Sequence, residues 1–286
     1  MEMINIELVT FKSTDGFELN GALKKGKHKN NKLIIHLHGM TGNFYGGEMT
    51  QELINGFTNT NFDILSINNR GHEITSRIYS KKNKMLAGTA FEIFEDCIKD
   101  IDGAIKIGKK LGYKKFILSG HSTGCQKVTY YQSKKINNGV IALILLAPAD
   151  DYTSTKIGLG KRFDKSVEIA KKLVAKGEGD KLLPIWISRY SAKRYLSYTD
   201  SKNTESQLFN YNGRLKHFSN IQVPILAVFG ENDKYLTGPA KETFLKLKKV
   251  TKSILLETII IKNTDHPFRQ KEKELVNTIK QFLKLL

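Results

Sequence analysis

The sequence predicts an α/β protein: a mostly parallel sheet, an antiparallel hairpin at the N-terminus and a helical insertion late in the chain. Three observations lead there. Short β-rich runs end in turn residues, as in "KLIIHLHG" at 32–39, "FDILSINNRG" at 62–71 and "KKFILSG" at 114–120. Stretches with helical apolar spacing separate them. The runs are also apolar almost throughout instead of alternating, which is how strands read when helices cover both faces of a sheet.

Taken in order, "IELVTFKS" and "FELNGALKK" flank Thr14-Asp15-Gly16, a hairpin turn signal. After the strand at 32–39, "GEMTQELINGFTN" places Met49, Leu53, Ile54 and Phe57 at helical spacing. Beyond the strand at 62–71, residues 90–112 put Phe94, Ile98, Ile101, Ile105 and Leu111 on one stripe, and Gly112 is a C-terminal stop. The strand at 114–120 leads into a polar helix from about Ser122. "GVIALILLAPAD" at 139–150, "QVPILAVFGENDKY" at 222–235 and "SILLETIIIKNTDH" at 253–266 are the remaining strands. A helix lies between the last two and another at 270–286. Residues 151–220 break the rhythm. They carry no strong strand signal, and "DKSVEIAKKLVAKGEG" is their clearest helix. Residues 1–150 and 221–286 are therefore expected to form the core, with 151–220 a helical cap over the sheet's C-terminal edge, where open α/β sheets bind ligands.

Composition narrows the function classes. The 286 residues carry a formal net charge of +18, yet only seven of the 46 basic residues are arginine. Nucleic-acid sites lean on arginine and gather their charge into patches, whereas these lysines are spread along the chain. A solvated lysine-rich surface is the plainer reading, so no nucleic-acid partner is expected. No apolar run approaches the roughly 18 residues of a membrane span, so no membrane insertion is expected either. The N-terminal stretch has an acid at Glu2 and alternates like a strand, unlike a secretory signal. Cys97 and Cys125 alone make neither a disulfide framework nor a zinc pattern. A cytoplasmic location is the expectation.

The chemistry is carried by "FILSGHSTGC" at 116–125. A strand running straight into Gly120-His121-Ser122-Thr123-Gly124 and then a helix lifts a serine hydroxyl out of a tight turn. Glycines on either side keep that turn free of side-chain collisions. The helix start aims free N–H groups and the positive end of its dipole at the serine. The alternative is an N-capping serine in a glycine-rich turn.

With this strand–turn–helix motif the chain resembles the α/β-hydrolase superfamily over nearly its full length. That family orders its triad nucleophile, acid, histidine. "FGENDKY" supplies Asp233 and "IKNTDHPF" supplies His266, each just past a strand end. The resemblance thus implies Ser122 as nucleophile, His266 as base and Asp233 as its orienting acid. Asp150 and Asp151 in "APADDY" are alternative acids, Glu231 is a local rival, and Asp265 is expected to face away. His121 reads as a packing residue, and His28 and His217 as surface residues. The oxyanion hole is expected from the backbone N–H groups of Thr123 and Met40, the latter by the family's His-Gly pattern in "HGMTGN". "NNRGHE" at 68–73 resembles a family scaffolding turn, departing from it at Asn68 and Glu73.

His36, His38 and His72 make a weak metal pattern, and neither metal nor cofactor is expected. "APADDY", "AKKLVAKGEGDKLLP" and "ISRYSAKRYLSY" are similar to a branch that includes fungal siderophore ester hydrolases. Phe44, Tyr45, Trp186 and Tyr190 are candidate substrate-binding residues, with core or cap packing as the bland reading for each. The expected activity is hydrolysis of a small-molecule carboxylic ester, or a thioester or activated amide, through an acyl-enzyme on Ser122. An acyltransferase with the same triad, or a non-catalytic small-molecule binding protein, are the alternatives.

Overall fold

The structure is a computed structural model and describes residues 5–27, 30–58, 60–136 and 138–286. In chain order its elements are β1 (Glu7–Lys12), β2 (Glu18–Lys24), β3 (Lys32–Leu37), α1 (Glu48–Gly56), β4 (Asp63–Ile67), β5 (Ser76–Tyr79), β6 (Lys84–Ala87), α2 (Cys97–Lys110), β7 (Lys115–His121), α3 (Thr123–Lys134) and β8 (Val140–Leu146). There follow α4 (Asp151–Leu159), α5 (Phe163–Ala175), α6 (Ala192–Thr199), α7 (Thr204–Leu208), α8 (Lys216–Ser219), β9 (Ile225–Gly230), α9 (Ala240–Val250), β10 (Leu256–Ile261) and α10 (Glu272–Leu283).

Eight strands form one sheet in the order β1-β2-β4-β3-β7-β8-β9-β10. β2 pairs antiparallel with both β1 and β4, and every other pairing is parallel. The hairpin therefore reverses a single strand. The central strands are buried along nearly all their length, which explains their continuous apolar sequence. One apolar cluster fills each face: Leu33, Ile35, Leu118 and Leu145 on one side, Ile34, Ile117, Ile144 and Val228 on the other.

Two details depart from the sequence expectation. α2 begins at Cys97, not near residue 90, and Leu111 is exposed. Residues 88–90 are instead tied by backbone hydrogen bonds to Arg70, Glu73 and Ile74, which holds the preceding stretch out of the helix. β5 and β6 form a separate two-stranded hairpin that carries no strong alternation in the sequence.

β3 leads to β4 on one side and β7 leads to β8 on the other, so strand order reverses between β3 and β7. A crevice opens at such a reversal, beyond the C-terminal strand ends. The segment between β8 and β9 is helical and has an apolar cluster of its own around Ala170, Leu183, Tyr195 and Leu196. Met40, in the loop after β3, packs against that cluster. Among the described residues no helix is long and apolar enough to cross a membrane.

Candidate active site

Ser122 sits at the reversal point, between the end of β7 and the start of α3. Its backbone is left-handed, with φ 53° and ψ −124°, a conformation that costs an ordinary side chain roughly 1–3 kcal/mol. Surrounding hydrogen bonds hold it there. The Ser122 N–H donates to the Leu146 carbonyl at 2.9 Å, and the Ser122 carbonyl accepts from the Cys125 N–H at 2.8 Å. The flanking glycines are required by space: a Cβ on Gly120 would lie 2.3 Å from the Gly124 carbonyl, and one on Gly124 would lie 2.3 Å from the Leu37 carbonyl oxygen. The turn is thereby packed hard against the end of β3.

Asp233 and His266 come together from the loops after β9 and β10. Asn232 N–H donates to the Thr264 carbonyl and Glu231 N–H to the Ile261 carbonyl, both at 2.9 Å. Asn263 N–H donates to the Glu231 carboxylate at 3.0 Å, so Glu231 braces the loop pair and makes no bond to the histidine. His266 Nδ1–H donates to Asp233 Oδ2 at 2.8 Å, and the other carboxylate oxygen accepts from the Tyr235 N–H at 2.9 Å. With the proton on Nδ1, Nε2 carries the lone pair. Nε2 is buried and has no hydrogen-bond partner among the described residues. The Tyr235 ring stands edge-on to the imidazole at 4.5 Å, and His121 Nε2–H holds the His266 carbonyl at 3.0 Å. Burial first, and the neighbouring His266 ring second, push His121 down to about 3, so it is a neutral support.

None of the other candidate acids hydrogen-bonds the imidazole. Asp150 caps α4 by accepting from Thr153 N–H at 2.8 Å, and its second oxygen accepts from Tyr211 N–H at 3.2 Å. Asp151 accepts from the Gln126 side-chain amide at 2.7 Å. Asp265 pairs with Arg269 at 2.8 Å. His217 lies against Ser133 and Tyr130, and His28 lies outside the described residues.

Ser122 and His266 line one cleft of about 590 Å³, together with Met40, Asp151, Tyr190 and Tyr235. Of the four candidate substrate-binding residues, Tyr190 lines it, while Phe44, Tyr45 and Trp186 do not. Phe44 and Tyr45 stack edge-on with each other, and Trp186 is 41% exposed on the insertion. Among the described residues the N–H groups of Met40 and Thr123 have no hydrogen-bond acceptor. Ser122 Oγ and His266 Nε2 are likewise not hydrogen-bonded to each other, a contact that commonly tightens only with substrate in place.

A buried ionic chain lies under the loop after β3, and sequence inspection did not single it out. His38 Nδ1–H donates to the Gly39 carbonyl at 2.8 Å, leaving Nε2 to accept from Asn69 at 3.3 Å. Asn69 in turn accepts from Lys127 Nζ at 2.9 Å, and Lys127 pairs with Glu92 at 2.7 Å. Arg194 of α6 reaches Glu92 at 3.3 Å, the Thr89 carbonyl at 3.1 Å and the Glu205 carboxylate at 2.9 Å. Burial opposes the charge on Glu92, but the Lys127 and Arg194 cations outweigh it and hold the carboxyl below its ordinary value. His36 is buried against Ser119 at 3.0 Å, pushed down to about 4 by burial. Among the described residues no three His, Cys, Asp or Glu side chains converge as a metal site.

The strand order, the single reversed strand and the left-handed serine at the strand–helix turn define an α/β-hydrolase fold. Solved structures of that fold align with the whole chain. Est1E from Butyrivibrio proteoclasticus with ferulic acid bound is 19% identical, covering 96% of this chain and 98% of its own, with a TM-score of 0.69. The siderophore hydrolase EstB from Aspergillus fumigatus is 16% identical over 100% and 99%, at 0.71. The carboxylesterase CesB from Bacillus subtilis is 18% identical over 98% and 92%, at 0.59. The chain itself belongs to the family described as "Protein of unknown function (DUF1749)", which matches residues 8–284. A comparison with curated proteins gives no match.

Proposed function

We propose that the protein is a serine hydrolase that cleaves a carboxylic ester of a small molecule through an acyl-enzyme on Ser122. The observation that carries this reading is the Asp233–His266 hydrogen bond, which leaves an unpaired, buried Nε2 in the cleft that Ser122 also lines. His266 takes the Ser122 proton as Oγ attacks the ester carbonyl, and the Asp233 carboxylate stabilises the imidazolium that results. The N–H groups of Met40 and Thr123 receive the oxyanion of the tetrahedral intermediate, aided by the N-terminal dipole of α3. His266 then protonates the departing alcohol. A water molecule deprotonated by the same nitrogen attacks the acyl-enzyme, releasing the acid and restoring Ser122. Exposed residues such as Thr41 and Glu48 line the cleft, so water reaches the acyl group, which favours hydrolysis over transfer to another acceptor. The activities of EstB and CesB point the same way.

An ester panel varied in acyl and alcohol size tests the reading. Turnover is expected in the parent protein, with a loss of at least about 10³-fold in Ser122→Ala and in His266→Ala. Full activity in either variant contradicts it.

A further inference from the structure

The cleft that Ser122 lines is also lined by polar groups of Asp151, Tyr190 and Tyr235, and Asp151 is held in place. Asp151 is the first residue of α4, so the insertion itself delivers this carboxyl to the cleft. One of its oxygens accepts from Gln126 Nε2 at 2.7 Å. Gln126 lies on α3 one turn beyond Ser122, is 1% exposed, and is oriented by a second bond from Nε2 to the Ala149 carbonyl at 3.1 Å. The position of Asp151 is thus tied to the helix that carries the serine. Its other oxygen has no hydrogen-bond partner among the described residues, and the same is true of the hydroxyls of Tyr190 and Tyr235. None of these three is among the fully buried unpaired atoms, so each reaches open space.

We propose that Asp151, with Tyr190 and Tyr235, forms a specificity subsite that donates hydrogen bonds to an acceptor oxygen on the substrate. The preferred substrates are then esters carrying a carbonyl or hydroxyl oxygen near the scissile bond, in place of plain hydrocarbon acyl chains. This rests on the ester-hydrolase reading above and narrows it to a substrate class.

A carboxyl donates only while protonated, and the surroundings of Asp151 favour that form. Burial first, then the Glu205 carboxylate of α7, push it up to about 8 against the opposing Arg194 guanidinium of α6, with Asp150 beside it and Asp233 from the loop after β9 adding to the rise. Tyr190, Tyr211 and Cys125 are displaced upward by burial and stay neutral near pH 7, and Tyr235 and His266 share the cleft with Asp151. The folded carboxyl is therefore protonated below about pH 8, and the donor is lost as pH rises through that value.

The test compares methyl 4-oxopentanoate with methyl pentanoate, a pair differing by one carbonyl oxygen, by acid release at fixed pH. At pH 7 the parent is expected to favour the keto ester by about 10-fold in kcat/KM. Asp151→Leu should bring the ratio to near one, the keto ester losing its advantage over methyl pentanoate. Asp151→Asn, which keeps an N–H donor, should retain most of the preference and hold it between pH 7 and 9, where the parent loses it. A preference that survives Asp151→Leu, or a parent without any preference, overturns the subsite. Calorimetric binding of both esters to Ser122→Ala separates the two claims. If the parent hydrolyses neither these esters nor any member of the panel, the hydrolase reading fails, and tighter binding of the keto ester that disappears in Ser122→Ala/Asp151→Leu still supports the subsite. Equal binding of the two overturns it.

Discussion

Ser122 has φ 53°, and the glycines packed around it leave no room for a different path of the chain. Strain of this kind persists only where neighbours over-determine it. Here they are the Leu146 carbonyl, the Cys125 N–H and the close approach of Gly124 to β3. Asp233 owes its assignment to contact as well as to chain order. It alone among the candidate acids hydrogen-bonds the imidazole, while Asp150 caps a helix and Glu231 ties two loops together. Asp233→Asn is accordingly expected to reverse the imidazole's preferred tautomer and lower kcat by about 10³- to 10⁴-fold with KM little changed. Asp150→Asn keeps the cap on Thr153 but puts an amide where an oxygen accepts from the Tyr211 N–H, so it is expected to lower stability modestly with kcat within a few-fold of the parent. Steady-state kinetics on both variants check this, and the opposite pattern would move the acid to the end of β8.

At the scale of elements, the insertion and the sheet are joined by buried charge. Arg194 of α6 is fully buried between Glu92 and Glu205, and Glu92 passes the contact through Lys127 and Asn69 to His38 at the end of β3. Removing one member leaves an uncompensated buried charge, so Arg194→Met is expected to cost about 3–5 kcal/mol in urea unfolding. A loss under about 1 kcal/mol would mean that the carboxylates find other partners. This chain of residues is where sequence reading stops. Lys127 and Glu92 are 35 positions apart, and neither lies in a motif. The strands and the three strand-end residues Ser122, Asp233 and His266 were legible because apolar runs and turn residues are local signals. The start of α2 was not, because apolar spacing continues through Phe94 while hydrogen bonds to Arg70, Glu73 and Ile74 hold residues 88–90 in another path. Asp151 was visible in "APADDY" only as a rival acid; its place beside Gln126 depends on how α4 packs on α3.

The whole molecule carries +18 of formal charge, but its buried cations Arg70, Lys127 and Arg194 are paired with carboxylates. Its pH response is therefore set largely by the interior. His36, His38 and His121 are pushed down to about 4, 3 and 3 by burial. In the unfolded chain each titrates near 6.5. Between about pH 6.5 and 4 these three sites bind more protons in the unfolded state, and stability falls as pH falls; Asp151, raised to about 8, opposes them with a single proton held in the folded state. Each histidine contributes up to about 1.4 kcal/mol per pH unit in that window. The urea midpoint should drop clearly from pH 7 to pH 5; an unchanged midpoint would mean that the buried imidazoles are charged or hydrated.

Everything in the proposed chemistry turns on one serine, Ser122, lifted by the turn at the end of β7, as the nucleophile. Reaction with a fluorophosphonate followed by mass spectrometry of the digested protein tests it most directly. One adduct is expected, on the peptide containing Ser122, absent in Ser122→Ala and strongly slowed in His266→Ala. An adduct on another residue, or undiminished labelling of Ser122→Ala, contradicts the account.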